Sequence, residues 1–280
     1  MNKKRTPFKV ALTFTAVLII LSFTFSPAEA EGAKVSTSTS PEATAWVTQR
    51  NTFYDGSRYW LFYWDGSNEV YTSSPNGTTW KASTTLWDIG PNPGTASGTA
   101  IWVNGTTIYV AGGENGENLV YYARGTINGD VISWDVSPTV IEDLTSGNTP
   151  LVISIAKSLN GTICIAYQGP DQVTIIKVVD DNEIGVNRHW APARYGSSET
   201  DGGIQILPVT GDERFMLLLK NETGFLKYRV GDWSVLDSPD YVVDESVASG
   251  FDSFTATYDD DYNVHLVYVF GNGTLAYRVY

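Results

Sequence analysis

The chain is poor in the residues that most often carry chemistry. Cysteine occurs once, at Cys164, so no disulfide can form within the chain. Its apolar surroundings, Thr162-Ile163-Cys164-Ile165-Ala166, read it as a small core hydrophobe. Histidine occurs twice, at His189 and His265, too sparsely for a histidine zinc site or for a Ser-His-Asp constellation with a second supporting cue. Basic residues are outnumbered, 18 Lys and Arg against 31 Asp and Glu, for a formal charge of −13. A field of that sign repels phosphate backbones and anionic lipid surfaces, which argues against nucleic-acid and membrane-surface partners. No long stretch shows helical periodicity, so no substantial helix is expected.

Long apolar runs are also scarce. The one present, Val10 to Phe25, follows Lys3, Lys4, Arg5 and Lys9 and precedes Ala28-Glu29-Ala30, the layout of a secretory signal peptide with a small-residue cleavage site. Thr13, Thr15, Ser22 and Thr24 interrupt it, leaving it short for a membrane span of roughly 20 residues. An uncleaved anchor is the alternative. Residues 1–30 are therefore expected to be a cleaved signal peptide, and residues 31–280 a single domain of a secreted or cell-surface protein. Losing four basic residues and Glu29 takes the formal charge to −16.

What is abundant is repetition. Segments starting at Thr52, Ile101, Lys157, Pro208 and Tyr258 align turn for turn, each a strand end, a tight turn, a second strand, a second turn and a third strand. The period of about fifty residues is in the range of propeller blades. Runs such as Ile108-Tyr109-Val110, Val173-Thr174-Ile175-Ile176 and Phe215-Met216-Leu217-Leu218-Leu219 are β-branched or apolar and bounded by Gly, Asn and Asp, the composition of strands. Asp55-Gly56, Asn104-Gly105, Asn160-Gly161 and Gly211-Asp212 recur between the first and second strands, where a tight hairpin needs positive φ. The expectation is an all-β, five-bladed β-propeller of four-stranded antiparallel blades, a monomer, with repeats near 43–85, 97–140, 151–195, 203–243 and 251–280.

Within a blade the strands are lettered a to d from the channel outward. Blade one is expected to have a at Ala43–Tyr54, b at Tyr59–Trp64, c at Glu69–Ser73 and d at Thr79–Thr84, the d strands often opened by Trp: Trp80, Trp134, Trp190 and Trp233. The fifth repeat stops at Tyr280, just after its c strand. The extended Lys34-Val35-Ser36-Thr37-Ser38-Thr39 is expected to supply the missing outer strand and close the ring, because closure removes exposed edges. A flexible leader, or a chain that is part of a longer ring, are the alternatives.

Ser73-Ser74-Pro75-Asn76-Gly77-Thr78-Thr79-Trp80 resembles the Asp box, S-x-D-x-G-x-T-W, of the sialidase-like bacterial-neuraminidase-repeat (BNR) proteins. The Ser, Gly, Thr and Trp positions match, while Pro75 stands in place of the Asp. Gly129 with Val131-Ile132-Ser133-Trp134 is a more degenerate echo. The resemblance implies a secreted propeller more than a chemistry. A working sialidase would need three arginines gripping the substrate carboxylate, a Tyr nucleophile paired with Glu, and an Asp acid/base. The d-to-a and b-to-c loops expected to build the ligand face contain no arginine and one basic residue, Lys220; Arg50 and Arg194 alone could approach the channel.

Those loops are acidic instead: Asp65, Asp88, Glu114, Glu117, Glu142, Asp143, Asp171, Glu199, Asp201, Glu222, Asp244 and Glu245. Such a face disfavours sialic acid by like-charge repulsion. The first expectation is a non-catalytic propeller binding a glycan or protein partner, with Trp87, Asp88, Asp143, Asp201 and Asp252 as ligand-binding candidates and Trp60, Trp64 and Trp102 as further aromatic surfaces; for Trp60 and Trp102 packing between blades is the stronger reading. The second is an exo-acting glycoside hydrolase for a neutral sugar, using Asp201 and Asp252 with Glu199 in reserve, since such chemistry takes two carboxyl groups roughly 5 to 9.5 Å apart. The third is a structural envelope component. Asp259-Asp260-Asp261 offers oxygen ligands for calcium, as does Asp180-Asp181-Asn182-Glu183, but neither follows an EF-hand pattern. Solvated turns are the stronger reading, and no cofactor is expected. Asn-x-Thr sequons stand at Asn76, Asn104, Asn160, Asn221 and Asn272; four are Asn-Gly-Thr, which a tight turn selects anyway, and export makes glycosylation chemically accessible.

Overall fold

The computed structural model describes residues 35, 51–88, 99–114, 119–143, 152–168, 173–179, 183–188, 203–211, 214–220, 224–232, 241–248 and 253–280. Its strands belong to one compact unit, Ala33–Tyr280. The order is β1 (Thr52–Tyr54), β2 (Tyr59–Trp64), β3 (Asn68–Ser74) and β4 (Thr84–Asp88); β5 (Thr99–Asn104), β6 (Thr107–Glu114), β7 (Leu119–Asn128) and β8 (Val131–Asp143); β9 (Val152–Lys157), β10 (Ile163–Gln168), β11 (Val173–Val179) and β12 (Glu183–Arg188); β13 (Ile204–Pro208), β14 (Arg214–Lys220), β15 (Leu226–Asp232) and β16 (Tyr241–Asp244); and β17 (Phe254–Tyr258), β18 (Val264–Val269) and β19 (Leu275–Val279). Each group is an antiparallel meander, giving four four-stranded sheets and one three-stranded sheet. These are blades one to four and the sheet of the fifth repeat. The expected five four-stranded blades are thus corrected to four among the described residues, because the fifth sheet holds only β17, β18 and β19.

The first strands of all five sheets meet. Thr52, Trp102, Ser154, Gln205 and Thr257, one from each of β1, β5, β9, β13 and β17, border a single cavity of about 280 Å³. That is propeller geometry, with strand a innermost. Between blades the ladder stops, and side chains take over. Gln205 donates from Nε2 to the Ala256 carbonyl at 2.7 Å and accepts from the Ala256 amide at 2.8 Å, so one carboxamide acts as a short ladder between β13 and β17. Ser154 Oγ accepts from the Ile206 amide at 3.1 Å, tying β9 to β13.

Alternation along each strand sends one set of side chains to each neighbouring blade. Phe53, Trp60, Phe62 and Trp64 pack on Ile101, Ile108 and Val110 between blades one and two. Trp102, Tyr109, Tyr167 and Phe215 belong to the core shared by blades two to four. Leu218, Phe254, Leu266 and Tyr268 fill the boundary between blade four and the fifth sheet. Each such side chain contributes about 1.5–3 kcal/mol by leaving water. The other phase of the fifth sheet is bare: Thr255 and Thr257 are exposed, and so are Leu275, Tyr277 and Val279 at 68%, 60% and 51%. Tyr54 and Tyr59 of blade one, opposite in phase to Phe53 and Trp60, are exposed too.

The turns explain where element boundaries depart from expectation. Asp55 Oδ1 accepts from the Ser57 and Arg58 amides and Oδ2 from the Trp60 indole, all at 2.7 Å. In the Asp-box-like hairpin, Asn76 rather than position 75 does this work, its Oδ1 accepting from the Thr78 and Thr79 amides at 3.0 and 2.8 Å. Trp80 donates to the Gly77 carbonyl. Trp80 is therefore part of the turn, and the outer strand of blade one starts at Thr84 instead of Thr79. Of the other expected strand openers, Trp134 lies in β8, while Trp190 and Trp233 are outside the described residues, as is most of the expected Ala43–Tyr54 strand. In the closing segment only Val35 is described; it is half-buried and not in a strand.

Candidate functional site

The channel is the natural place for a ligand, since every blade contributes a wall. Its described lining has hydroxyls and a carboxamide at Thr52, Ser154, Gln205, Thr255 and Thr257, and aromatic rings at Trp102 and Tyr258. No described residue of this lining is a carboxylate. Trp102 from blade two and Tyr258 from the fifth sheet stack across the channel, centroids 5.3 Å apart and planes within 8°. Both also border a second cavity of about 280 Å³ on the side of the a-to-b turns. The stacked pair thus borders both chambers.

Carboxyl groups gather instead where blades meet at the loop-side end. Glu69, beside the b-to-c turn of blade one, is buried. Burial pushes its carboxyl up to about 8, with Thr99 of blade two opposing the rise and the charge of Asp65 adding to it. Glu142, at the end of β8 and also buried, accepts a 2.6 Å hydrogen bond from the Tyr167 hydroxyl of blade three. Asp244, at the end of β16, accepts from the Tyr268 hydroxyl at 3.2 Å and lies 3.7 Å from Arg278 Nη2, both in the fifth sheet. Asp65 is spent locally, Oδ1 accepting from the Ser67 and Asn68 amides at 2.8 Å. Glu142 and Asp244 therefore bind blade to blade, and Asp65 caps a turn. Sequence reading counted Glu142 and Asp244 only as loop charges and missed the role of Glu69. One signal was available: Glu69 shares the phase of Tyr71, which packs in the core of blades one and two.

The candidate residues fall in three groups. Glu199, Asp201 and Asp252 lie outside the described residues, close before β13 and β17. Trp87, Asp88 and Asp143 were expected on d-to-a loops; the structure corrects this to strand ends, since β4 runs through Trp87 and Asp88 and β8 through Asp143. Trp87 pairs in register with Glu69, Asp88 with Asn68 and Asp143 with Leu119. Register shifts lie beside these pairs, at Glu69/Val70 and Val120/Tyr121. Trp60 is buried, its indole held by Asp55.

The Asp259-Asp260-Asp261 turn uses its first carboxylate internally. Asp259 accepts from Asn263 Nδ2 at 2.9 Å and from the Asp261 and Asn263 amides at 3.0 and 2.9 Å, and lies 3.0 Å from His265 Nε2. The Asn263 carboxamide, then His265, hold it well below the usual carboxylate range. His265 Nδ1 faces the Tyr277 hydroxyl at 2.6 Å. Asp260 and Asp261 are exposed, and no group of three metal-ligating side chains assembles among the described residues. Asp180-Asp181-Asn182 lies outside the described residues, and Glu183 opens β12.

No family model matches the chain, and no curated protein sequence does either. Solved structures do match. Aleuria aurantia lectin in complex with alpha-methyl-L-fucoside superposes with a TM-score of 0.54 at 11% identity, over 82% of this chain and 75% of that one. The same lectin with Fucalpha1-6GlcNAc gives 0.52 at 12%, over 82% and 76%. An exo-1,5-alpha-L-arabinanase from a bovine ruminal metagenomic library gives 0.49 at 13%, over 81% and 91%. At such identities the likeness is one of fold. The chain has an all-β propeller fold with four-stranded antiparallel blades.

Proposed function

We propose that this protein is a secreted or cell-surface propeller that binds a glycan and does not turn it over. The observation that carries the reading is the channel wall: hydroxyls, a carboxamide and a stacked aromatic pair, with no carboxylate among its described residues. A neutral sugar presents C–H faces that lie on aromatic rings and hydroxyls that both donate and accept, so this chemistry suits it. Trp87, Asp88, Asp143, Asp201 and Asp252 are the contacts proposed at the loop-side mouth, and the negative net charge favours a neutral glycan over sialic acid. The lectin of similar fold is in complex with a fucoside, in keeping with a sugar ligand. The proposal includes no metal and a monomeric state.

The second reading, an exo-acting glycoside hydrolase, has one specific support. Asp201 and Asp252 immediately precede β13 and β17, whose residues border the channel. A panel of fluorogenic neutral glycosides and a sialoside separates the readings: a binding protein releases no fluorophore, whereas turnover that disappears in the Asp201→Asn/Asp252→Asn double variant establishes the hydrolase.

The proposal extends to ring closure. Residues 34–39 pair with β19 as the outer strand of a fifth four-stranded blade and cover the apolar phase of Leu275, Tyr277 and Val279. Removing residues 31–40 should lower the melting temperature markedly, because a whole edge pairing is lost; an unchanged melting temperature contradicts closure.

A further inference from the structure

Four of the five a-to-b turns place a glycine at positive φ: Gly56, Gly105, Gly161 and Gly211, at 94°, 60°, 96° and 114°. The turn of the fifth sheet places Tyr262 there, at φ 62°, the one non-glycine residue with positive φ among the described residues. The equivalence with blade three is close. The Gly161 amide donates to the Ser158 carbonyl at 3.0 Å and the Ser158 amide to the Thr162 carbonyl at 2.8 Å; the Tyr262 amide donates to the Asp259 carbonyl at 2.9 Å and the Asp259 amide to the Asn263 carbonyl at 3.1 Å. The backbone conformation is the one glycine adopts freely and a side chain adopts at a cost. Strain of this kind persists where the surroundings or a function hold it.

What the side chain does is to extend a stack. The Tyr262 ring lies 5.6 Å from that of Tyr258, planes within 14°, and Tyr258 stacks in turn on Trp102. All three border the turn-side cavity of about 280 Å³, whose opposite wall is the Lys157–Gly161 turn of blade three. Lys157 Nζ donates to the Tyr109 hydroxyl at 2.7 Å and sits 4.8 Å from that ring's centroid, which leaves ammonium protons for a further acceptor. The chamber is thus aromatic on one side and hydrogen-bonding on the other. Its size is near the lower end of ligand pockets, which begin at about 300 Å³.

We propose that this chamber is a second saccharide site, for a neutral pyranoside whose C–H face lies on Tyr262 and whose hydroxyls reach Lys157. It deepens the glycan-binding reading but lies at the other end of the channel from the loop-side contacts. The test compares the purified protein with its Tyr262→Gly, Tyr262→Phe and Asp201→Asn/Asp252→Asn variants. The probes are the methyl pyranosides of glucose, galactose, mannose, xylose and L-fucose, followed by saturation-transfer NMR and thermal melting. At least one pyranoside should bind, and in the Asp201→Asn/Asp252→Asn background, where the loop-side contacts are removed, binding should remain that Tyr262→Gly weakens tenfold or more while melting no lower than its parent and that Tyr262→Phe keeps. Binding unaffected by Tyr262→Gly overturns the site, as does a panel with no binder. A Tyr262→Gly protein that melts lower also overturns it, because the tyrosine is then packing. Binding lost only in the Asp double variant overturns this site and leaves the loop-side reading standing.

Discussion

The two ends of the channel are built from different chemistry. At the loop-side end, blade boundaries hold carboxyl groups, Glu142 against the Tyr167 hydroxyl and Asp244 against the Tyr268 hydroxyl, and Glu69 is buried in blade one. At the turn-side end the channel narrows to the Trp102–Tyr258 stack, continued by Tyr262. Glu142 and Asp244 are coupled across blades, so changing either alters stability before it alters any ligand. Tyr262 borders open space and lies outside the core, so changing it can alter a ligand with little effect on the fold. Charge counted along the chain therefore says less about the ligand face than charge left uncommitted after packing.

The largest effect should come from the wall shared by the two chambers. Trp102→Ala empties a buried site between blade two and the fifth sheet and should cost about 3–5 kcal/mol in chemical denaturation. A loss under about 1 kcal/mol would mean that the stack is not part of the core. At the other end, Glu69 binds its proton more tightly folded than unfolded, its pKa lying at about 8 against 4.5. The native state should therefore lose stability as pH rises from about 4.5 through about 8, with a slope of at most about 1.4 kcal/mol for each pH step of one across that window. Glu69→Gln should flatten that slope and be more stable than the parent above the window, with little difference below it; matching pH profiles would show that Glu69 is not held neutral. Smaller still, Gln205→Ala removes both bonds to Ala256 and should cost about 1–3 kcal/mol, the range for leaving a buried polar group without its partner. Replacing the exposed Thr255 by Ser provides the baseline, within about 0.5 kcal/mol of the parent.

Much of this fold was legible because it is local. The repeat at Thr52, Ile101, Lys157, Pro208 and Tyr258 marks hairpins, and in four of them the turn glycine does adopt positive φ, at Gly56, Gly105, Gly161 and Gly211. Trp87, Asp88 and Asp143 read as loop residues by composition, whereas pairing with Glu69, Asn68 and Leu119 of the neighbouring strands keeps them in β4 and β8. Tyr262 was invisible: nothing in Asp259-Asp260-Asp261-Tyr262-Asn263 announces that the tyrosine occupies a glycine position, because the stack on Tyr258 is formed by tertiary structure. Gln205 was missed for the same reason, since its partner Ala256 in the next blade is 51 residues away in sequence.

The central claim is that this propeller recognises neutral glycans, and binding of the purified protein to an array carrying neutral, sialylated and uronic-acid glycans in parallel tests it most directly. The account predicts retention on neutral glycans and none on the sialylated or uronic-acid spots; preferential binding to sialylated glycans, or no binding to any neutral glycan, would contradict it.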